Sequence, residues 1–150
     1  MRLKIPPGIQ VLFFGGVMWV ISKYAEIVSL DFKGINKFAL FFLSSGVLMI
    51  GLGIAEFRKS KTTITPLHPD QASKFVTSGI YRFTRNPMYF GMLLILFSIW
   101  LYLQNLANSI VLPLYVWFIS KYQIIPEEET LHKLFGEEYQ HYQDNVRRWI

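Results

Sequence analysis

Residues 38–55 read FALFFLSSGVLMIGLGIA, eighteen positions without one charge. A helix on the surface of a soluble protein would show polar residues at every turn. This stretch does not, and neither does a second uncharged run at residues 87–103, PMYFGMLLILFSIWLYL. Two more apolar runs flank the pair. One covers about residues 9–28, with Lys23 and Glu26 near its end, and the other about residues 106–125, with Lys121 near its end. Each is roughly 17–20 residues long, the length an α-helix needs to cross a bilayer. The pattern predicts an all-α integral membrane protein with about four transmembrane helices.

Composition agrees. The 150 residues are 52% hydrophobic and 17% aromatic but only 17% charged, and mean hydropathy is +0.31. A soluble body of this size has too little interior for 13 Phe, 8 Tyr and 4 Trp. There are no cysteines, which excludes disulfide frameworks, thiolate metal sites and cysteine nucleophiles, and no metal site is expected. The net charge of +5 would suit nucleic acid, but its distribution assigns it to a membrane. Arg58, Lys59, Lys61, Lys74, Arg82 and Arg85 lie between the second and third runs; Arg2 and Lys4 precede the first; Lys133, Arg147 and Arg148 follow the last. Four crossings put all three regions on one side, and the positive-inside rule makes that side cytoplasmic, termini included.

Two cytoplasmic pieces exceed what a connection requires. Residues 58–86 form a long segment containing Pro66, Pro69 and Gly79, and loops of that length usually carry function. After Pro126, Leu131, Leu134, Phe135, Tyr139, Tyr142, Val146 and Trp149 fall at helical spacing. Residues 127–149 are therefore expected to form a cytoplasmic amphipathic helix packed on the protein, with Gly136 as a point of bending. Pro126 suits its first position, and Glu127, Glu128 and Glu129 would then complement the helix dipole.

The chemistry concentrates in two blocks. In Arg85-Asn86-Pro87-Met88-Tyr89-Phe90-Gly91, Asn86 suits a helix N-cap and Pro87 a first turn. The helix they open would present free N–H groups beside Arg85, a place for an anion. Tyr89 would lie just inside, and Gly91 permits close backbone approach. In the second block, Glu127 and Glu128 are adjacent carboxylates able to hold a cation or a ribose diol. Either block read alone also fits a capped membrane helix or an acidic first turn. A small membrane scaffold without enzymatic activity would explain the helices and basic loops, but not an anion site and a carboxylate pair on one side.

Gly79-Ile80-Tyr81-Arg82 followed by residues 85–91 resembles the signature of the isoprenylcysteine carboxyl methyltransferase family, and is similar in plan to the related phospholipid methyltransferases. So does the tail, with Glu127-Glu128, Leu131, Phe135-Gly136, Tyr139, Tyr142, Val146 and Arg148-Trp149. Thr62-Thr63 and Pro66 fit its bacterial branch. The match covers about residues 57–150 of what reads as one domain, residues 1–150. The resemblance implies an S-adenosylmethionine-dependent methyltransferase of the membrane, in a bacterium the inner membrane, acting on a lipophilic acceptor and not on nucleic acid. It further implies that His68, Gly79, Tyr81, Arg85, Asn86, Pro87, Tyr89 and Gly91 line the cofactor, with Glu127 and Glu128 opposite, and that Arg85, Glu127 and Glu128 are the catalytic set. Tyr81, Phe83 and Tyr89 are candidates to stack on adenine. His68, His132, His141 and the two glutamates are the candidate bases, should the acceptor carry a proton. Two positions depart from the eukaryotic protein-modifying members. Asn86 stands where they usually carry His, and Asn145 where they carry an Arg that is a candidate for the acceptor's carboxylate. The acceptor is left open among carboxyl, thiol and amine.

Overall fold

Proline marks the helix starts that the sequence singles out. In the computed structural model, which describes residues 6–25, 34–60 and 75–150, helix α1 (Pro7–Tyr24) and helix α3 (Pro87–Leu103) both open on a proline, where the missing N–H costs nothing. Helix α2 (Ile35–Lys59) begins after Gly34, which takes the left-handed conformation with φ 95°. All regular structure among the described residues is helical. α2 is long and apolar enough to cross a membrane, and α3 is a shorter apolar helix.

α2 and α3 make the most extensive contact in the molecule. They run antiparallel: Ser98 donates to the Ala39 carbonyl at 2.6 Å, Gly91 meets Gly46, and Gly53 meets Met88. A Cβ on either Gly46 or Gly91 would lie 2.6 Å from the other's carbonyl oxygen, so only glycine permits this crossing. α1 packs on the other side of α3, and Phe14 and Met18 join Tyr89, Leu96, Tyr115 and Ile119 in one buried cluster. Asn108 donates to Ser22 Oγ at 2.7 Å and Asn105 to the Ala25 carbonyl at 2.9 Å, tying the end of α1 to the turn after α3. Large apolar side chains on α1 and α2, among them Leu12, Phe13, Leu40, Phe41 and Leu48, face outward. That is far more apolar surface than a soluble monomer exposes.

Three expectations change in detail. The first apolar run was expected to reach Val28; its helix ends at Tyr24, and Val28 lies outside the described residues. The fourth run is not one uniform helix. A 3₁₀ turn, Leu106–Ile110, leads into helix α4 (Val111–Ile119), then a wide π turn, Ser120–Ile124, then helix α5 (Ile125–Asn145), without interruption. Nor does a new helix start at Pro126. Proline cannot donate to the carbonyl four residues back and its ring crowds that carbonyl; the wide turn just before it makes room, so the chain stays helical. Glu127, Glu128 and Glu129 therefore follow helix rather than open it, and complementing a free helix end is not what fixes them.

The tail bends where a glycine was expected to allow it. Gly136 has φ 52° and ψ −125°, the mirror image of extended backbone and open only to glycine. α5 thus becomes two legs folded against each other: His132 lies 3.2 Å from Gln140, and Glu128 on the first leg pairs with Arg148 beyond the second. Phe75 fills the angle, its ring against Phe135, Tyr139 and Tyr142. Leu134, expected on the packed face, is exposed because the bend turns its side outward.

Candidate functional site

The segment that carries Arg85 is held from below by a glycine. Gly79 has φ +59°, and a Cβ there would lie 2.5 Å from Glu56 Cδ. Ser78 donates to Glu56 Oε2 at 2.6 Å, so this acidic end of α2 receives the turn. The 3₁₀ turn Gly79–Arg82 then buries Tyr81, whose ring packs edge-on against Phe57. From there Thr84, Arg85 and Asn86 lead directly into α3.

The end of the tail lies across this segment. Arg85 N–H donates to the Arg147 carbonyl at 3.0 Å, and Asn86 Nδ2 and Thr84 Oγ1 donate to the Arg148 carbonyl at 3.0 and 3.3 Å. Tyr142 donates to the Tyr81 carbonyl at 2.7 Å. Asn86 is the N-cap residue, yet its side chain makes no cap hydrogen bond; it is spent on the tail. The two sequence blocks, separated in the chain by the apolar helices α3 and α4, are thus stitched together mostly through main-chain carbonyls.

At the seam sits a charged triad. Arg148 clamps Glu128 from two nitrogens, Nη2 to Oε2 at 2.6 Å and Nε to Oε1 at 3.2 Å. Arg85 Nη2 approaches Glu128 Oε1 at 3.4 Å. The hydrogen bond to Glu128 holds the Arg148 guanidinium protonated even more firmly than usual, against the opposing effect of burial. Arg85 and Glu128 side chains are only 11% and 10% exposed, and Arg85 Nε and Nη1 are buried with no acceptor among the described residues. Two guanidiniums and one carboxylate leave this cluster one positive charge in excess. Arg148 is 37% exposed to solvent, so it is the buried Arg85 guanidinium that an anion would satisfy.

Glu127, one residue earlier, faces the bundle. Tyr89 donates to its Oε1 at 2.6 Å and Gln123 Nε2 to the same oxygen at 2.7 Å. A negatively charged rim thus stands beside the positive triad, both at the head of α3. Beside Glu128, the two legs of α5 enclose an open groove of about 340 Å³, lined by Ile125, Glu128, Glu129, His132, Lys133 and Gln143. Burial pushes the Tyr139 hydroxyl up to about 12, with the Glu128 charge adding to it. Burial likewise raises Tyr142 and Tyr81, so these phenols are neutral hydrogen-bonding groups at any physiological pH.

Of the residues expected at the site, Arg85, Asn86, Pro87, Tyr89, Glu127 and Glu128 are brought together. Tyr81 is adjacent, but its ring faces Phe57 on α2 and Phe83 is exposed, so neither offers a stacking wall inside the seam. Gly91 faces α2, and the space its missing side chain leaves is filled by Gly46. Gly79 serves the turn against Glu56. His68 lies outside the described residues. His132 and His141 are exposed on α5; His132 lines the groove beside Glu128. Three participants were not among the expected site residues: Arg148, Gln123 and Tyr139. Gln123 stands four residues before Glu127, a spacing that puts both on one side of a helix. Arg148 joins only through the fold of the tail.

Residues 35–138 match the family described as phospholipid methyltransferase. The chain is 29% identical over 101 residues to a probable protein-S-isoprenylcysteine O-methyltransferase of Oryza sativa subsp. japonica, covering 67% of this chain and 53% of that protein. It is 29% identical over 133 residues to protein-S-isoprenylcysteine O-methyltransferase B of Arabidopsis thaliana, covering 85% and 66%. Against the protein-S-isoprenylcysteine O-methyltransferase of Schizosaccharomyces pombe it is 25% identical over 120 residues, covering 80% and 51%. The chain spans about half to two thirds of the length of these relatives. No solved structure matches it. The resemblance read from the two sequence blocks is borne out.

Proposed function

The chain belongs to the phospholipid methyltransferase family, and from that premise we propose that it is a membrane methyltransferase using S-adenosylmethionine to methylate a lipophilic acceptor. The observation that carries this reading is the pair of buried Arg85 nitrogens without an acceptor in a triad of excess positive charge. A methionine-type carboxylate fits that charge, and the Glu127 rim beside it suits the cationic part of the same molecule. When bound, S-adenosylmethionine supplies a methyl group already activated on a sulfonium.

The chain's own residues then have separable roles. Arg85 binds the carboxylate. Glu128 orients Arg85 and Arg148 from between them. Tyr89 and Gln123 fix the Glu127 carboxylate by two donated hydrogen bonds. Trp149, packed against the core cluster, and the tail strand before it exclude water, which strengthens every charge interaction within. The site lies at the end of α3 beside lipid-facing helices, so an acceptor can arrive from the bilayer. The basic residues flanking the apolar runs support a reading in which this end is cytoplasmic, with four crossings, both termini inside, and in a bacterium the inner membrane as host.

The test is equilibrium binding of labelled S-adenosylmethionine to purified protein, wild type and Arg85→Ala. Loss of a charge-assisted hydrogen bond, roughly 1.5–3 kcal/mol, should weaken binding on the order of 10- to 100-fold. Arg148 still neutralises Glu128 in this variant, so its melting temperature should change little. Equal affinity in both proteins would refute the assignment of Arg85.

A further inference from the structure

Tyr115, Ile119, Gln123 and Glu127 share one side of the helix that runs from α4 through the π turn into α5, because the extra residue of that turn offsets the rotation that four-residue steps would otherwise accumulate. Glu127 lies at the charged end. Tyr115 lies deep in the bundle, in the cluster that holds Phe14 and Tyr89. Two polar atoms on this line meet no partner among the described residues, Gln123 Oε1 and the Tyr115 hydroxyl. Their residues are 2% and 0% exposed. Leaving such atoms unpaired is costly, and a polar group kept inside a membrane bundle is by default a functional one.

The identity of the open atom at Gln123 is fixed by chemistry. Its amide nitrogen donates to Glu127 Oε1, and a carboxylate oxygen can only accept; turning the amide over would set two acceptors against each other. What remains open is therefore an acceptor, which asks for a ligand hydrogen. An ionised carboxylate has none to give. It would also meet the Glu127 charge within one side chain's reach. A hydroxyl or amine head supplies the hydrogen without adding negative charge, and the Tyr115 hydroxyl can donate to or accept from either.

We propose that Gln123 and Tyr115 form the polar lining of the acceptor site and select a lipophilic molecule with a hydrogen-bond-donating head, an alcohol or an amine, over a carboxylate. The proposal rests on the reading above, that a lipophilic acceptor enters beside Glu127. It departs from the carboxyl acceptor that the resemblance to the isoprenylcysteine carboxyl methyltransferases implies.

The test uses the full chain in phosphatidylcholine nanodiscs and three probes with one alkyl chain, dodecanol, dodecylamine and dodecanoate, each labelled and measured by retention with S-adenosylmethionine present. Dodecanol and dodecylamine should be retained about tenfold better than dodecanoate. Tyr115→Phe and Gln123→Met should each weaken dodecanol about three- to tenfold, the span of one hydrogen bond. Tyr115→Phe should at the same time melt no lower than wild type, because it removes an unpaired buried hydroxyl; a purely structural tyrosine would lose stability and not selectivity. Equal retention of the three probes, or wild-type retention of dodecanol by both variants, would overturn the proposal. Binding of S-adenosylmethionine is recorded on the same samples. A protein that selects dodecanol but binds no S-adenosylmethionine would sink the methyltransferase reading and leave the lining standing.

Discussion

Helix α3 takes part in two junctions of opposite character. Along its length it crosses α2 through Gly46 and Gly91, backbone against backbone, with no charge in reach. At its head it meets the tail through Arg85, Tyr89, Glu127, Glu128 and Arg148, where nearly every contact is polar and two guanidinium nitrogens of Arg85 have no partner among the described residues. The first junction is saturated: nothing can be added. The second is incomplete, and the unpaired nitrogens of Arg85 leave it capacity for a ligand. Packing without a hydrophobic drive inside lipid relies on small residues and close approach, which is why the first junction tolerates so little change.

The contrast breaks most visibly at Gly91. Gly91→Leu would push side-chain atoms into the Gly46 carbonyl and Ile50 of α2, neither of which can retreat without separating the helices. A loss of about 3 kcal/mol or more is expected, seen as a collapse of the thermal melt in detergent. A variant that melts like wild type would mean that the crossing is loose.

Next in size is the tail's last strand. Truncation after Asn145 removes the Arg147 and Arg148 carbonyls, the Arg148 clamp on Glu128 and the packing of Trp149. S-adenosylmethionine binding should fall below detection, while the glycine crossing of α2 and α3, which does not touch this segment, persists and the protein still inserts. Hydrogen exchange should show faster exchange confined to residues 75–86 and α5.

Gly136→Ala is expected to cost about 1–3 kcal/mol by backbone strain alone, since nothing lies within 4 Å of the added Cβ. Hydrogen exchange should register it in the second leg of α5 and not at the glycine crossing, reversing the pattern of Gly91→Leu.

The smallest effect is alkaline. An unfolded tyrosine titrates near 10, whereas burial holds Tyr139 at about 12 in the folded protein and raises Tyr142 as well. Folding favours the neutral phenols. Their contribution is complete below pH 10 and is lost as pH rises from 10 towards 12. Circular dichroism and tyrosine absorbance should therefore show the tail loosening in that window while the α2–α3 pair holds.

The two junctions were unequally legible in sequence. α2 and α3 were readable because uncharged runs of that length have few alternatives, and Pro87 marks a helix start by itself. The residues of the polar junction were also readable, as two blocks, because Arg85-Asn86-Pro87 and Glu127-Glu128 are unusual beside apolar runs. Their arrangement was not. Asn86 looked like a cap, but a tertiary partner, the Arg148 carbonyl, outcompeted the local role. Gly91 looked like room for a ligand, and α2 took the room. Pro126 looked like a start because a proline in mid-helix is normally excluded, and no local pattern announces a π turn that accommodates it. Arg148 could not be placed at all without knowing that Gly136 folds the tail back over twenty residues of chain.

The π turn at Ser120–Ile124 also sets an angular phase. One residue of α-helix corresponds to about 100° of rotation, so the extra residue held in that turn swings everything after it by about that much relative to α4. Adjacent residues of a helix face about 100° apart, which separates Glu127 from Glu128; the offset sets where the pair points, one carboxylate toward Tyr89 and one toward Arg85. Deleting any single residue between 120 and 124 would let the turn relax to an ordinary helix and rotate both carboxylates off their partners together, although every side chain of the site was still encoded. The site is thus indexed by a count of residues as much as by their identity.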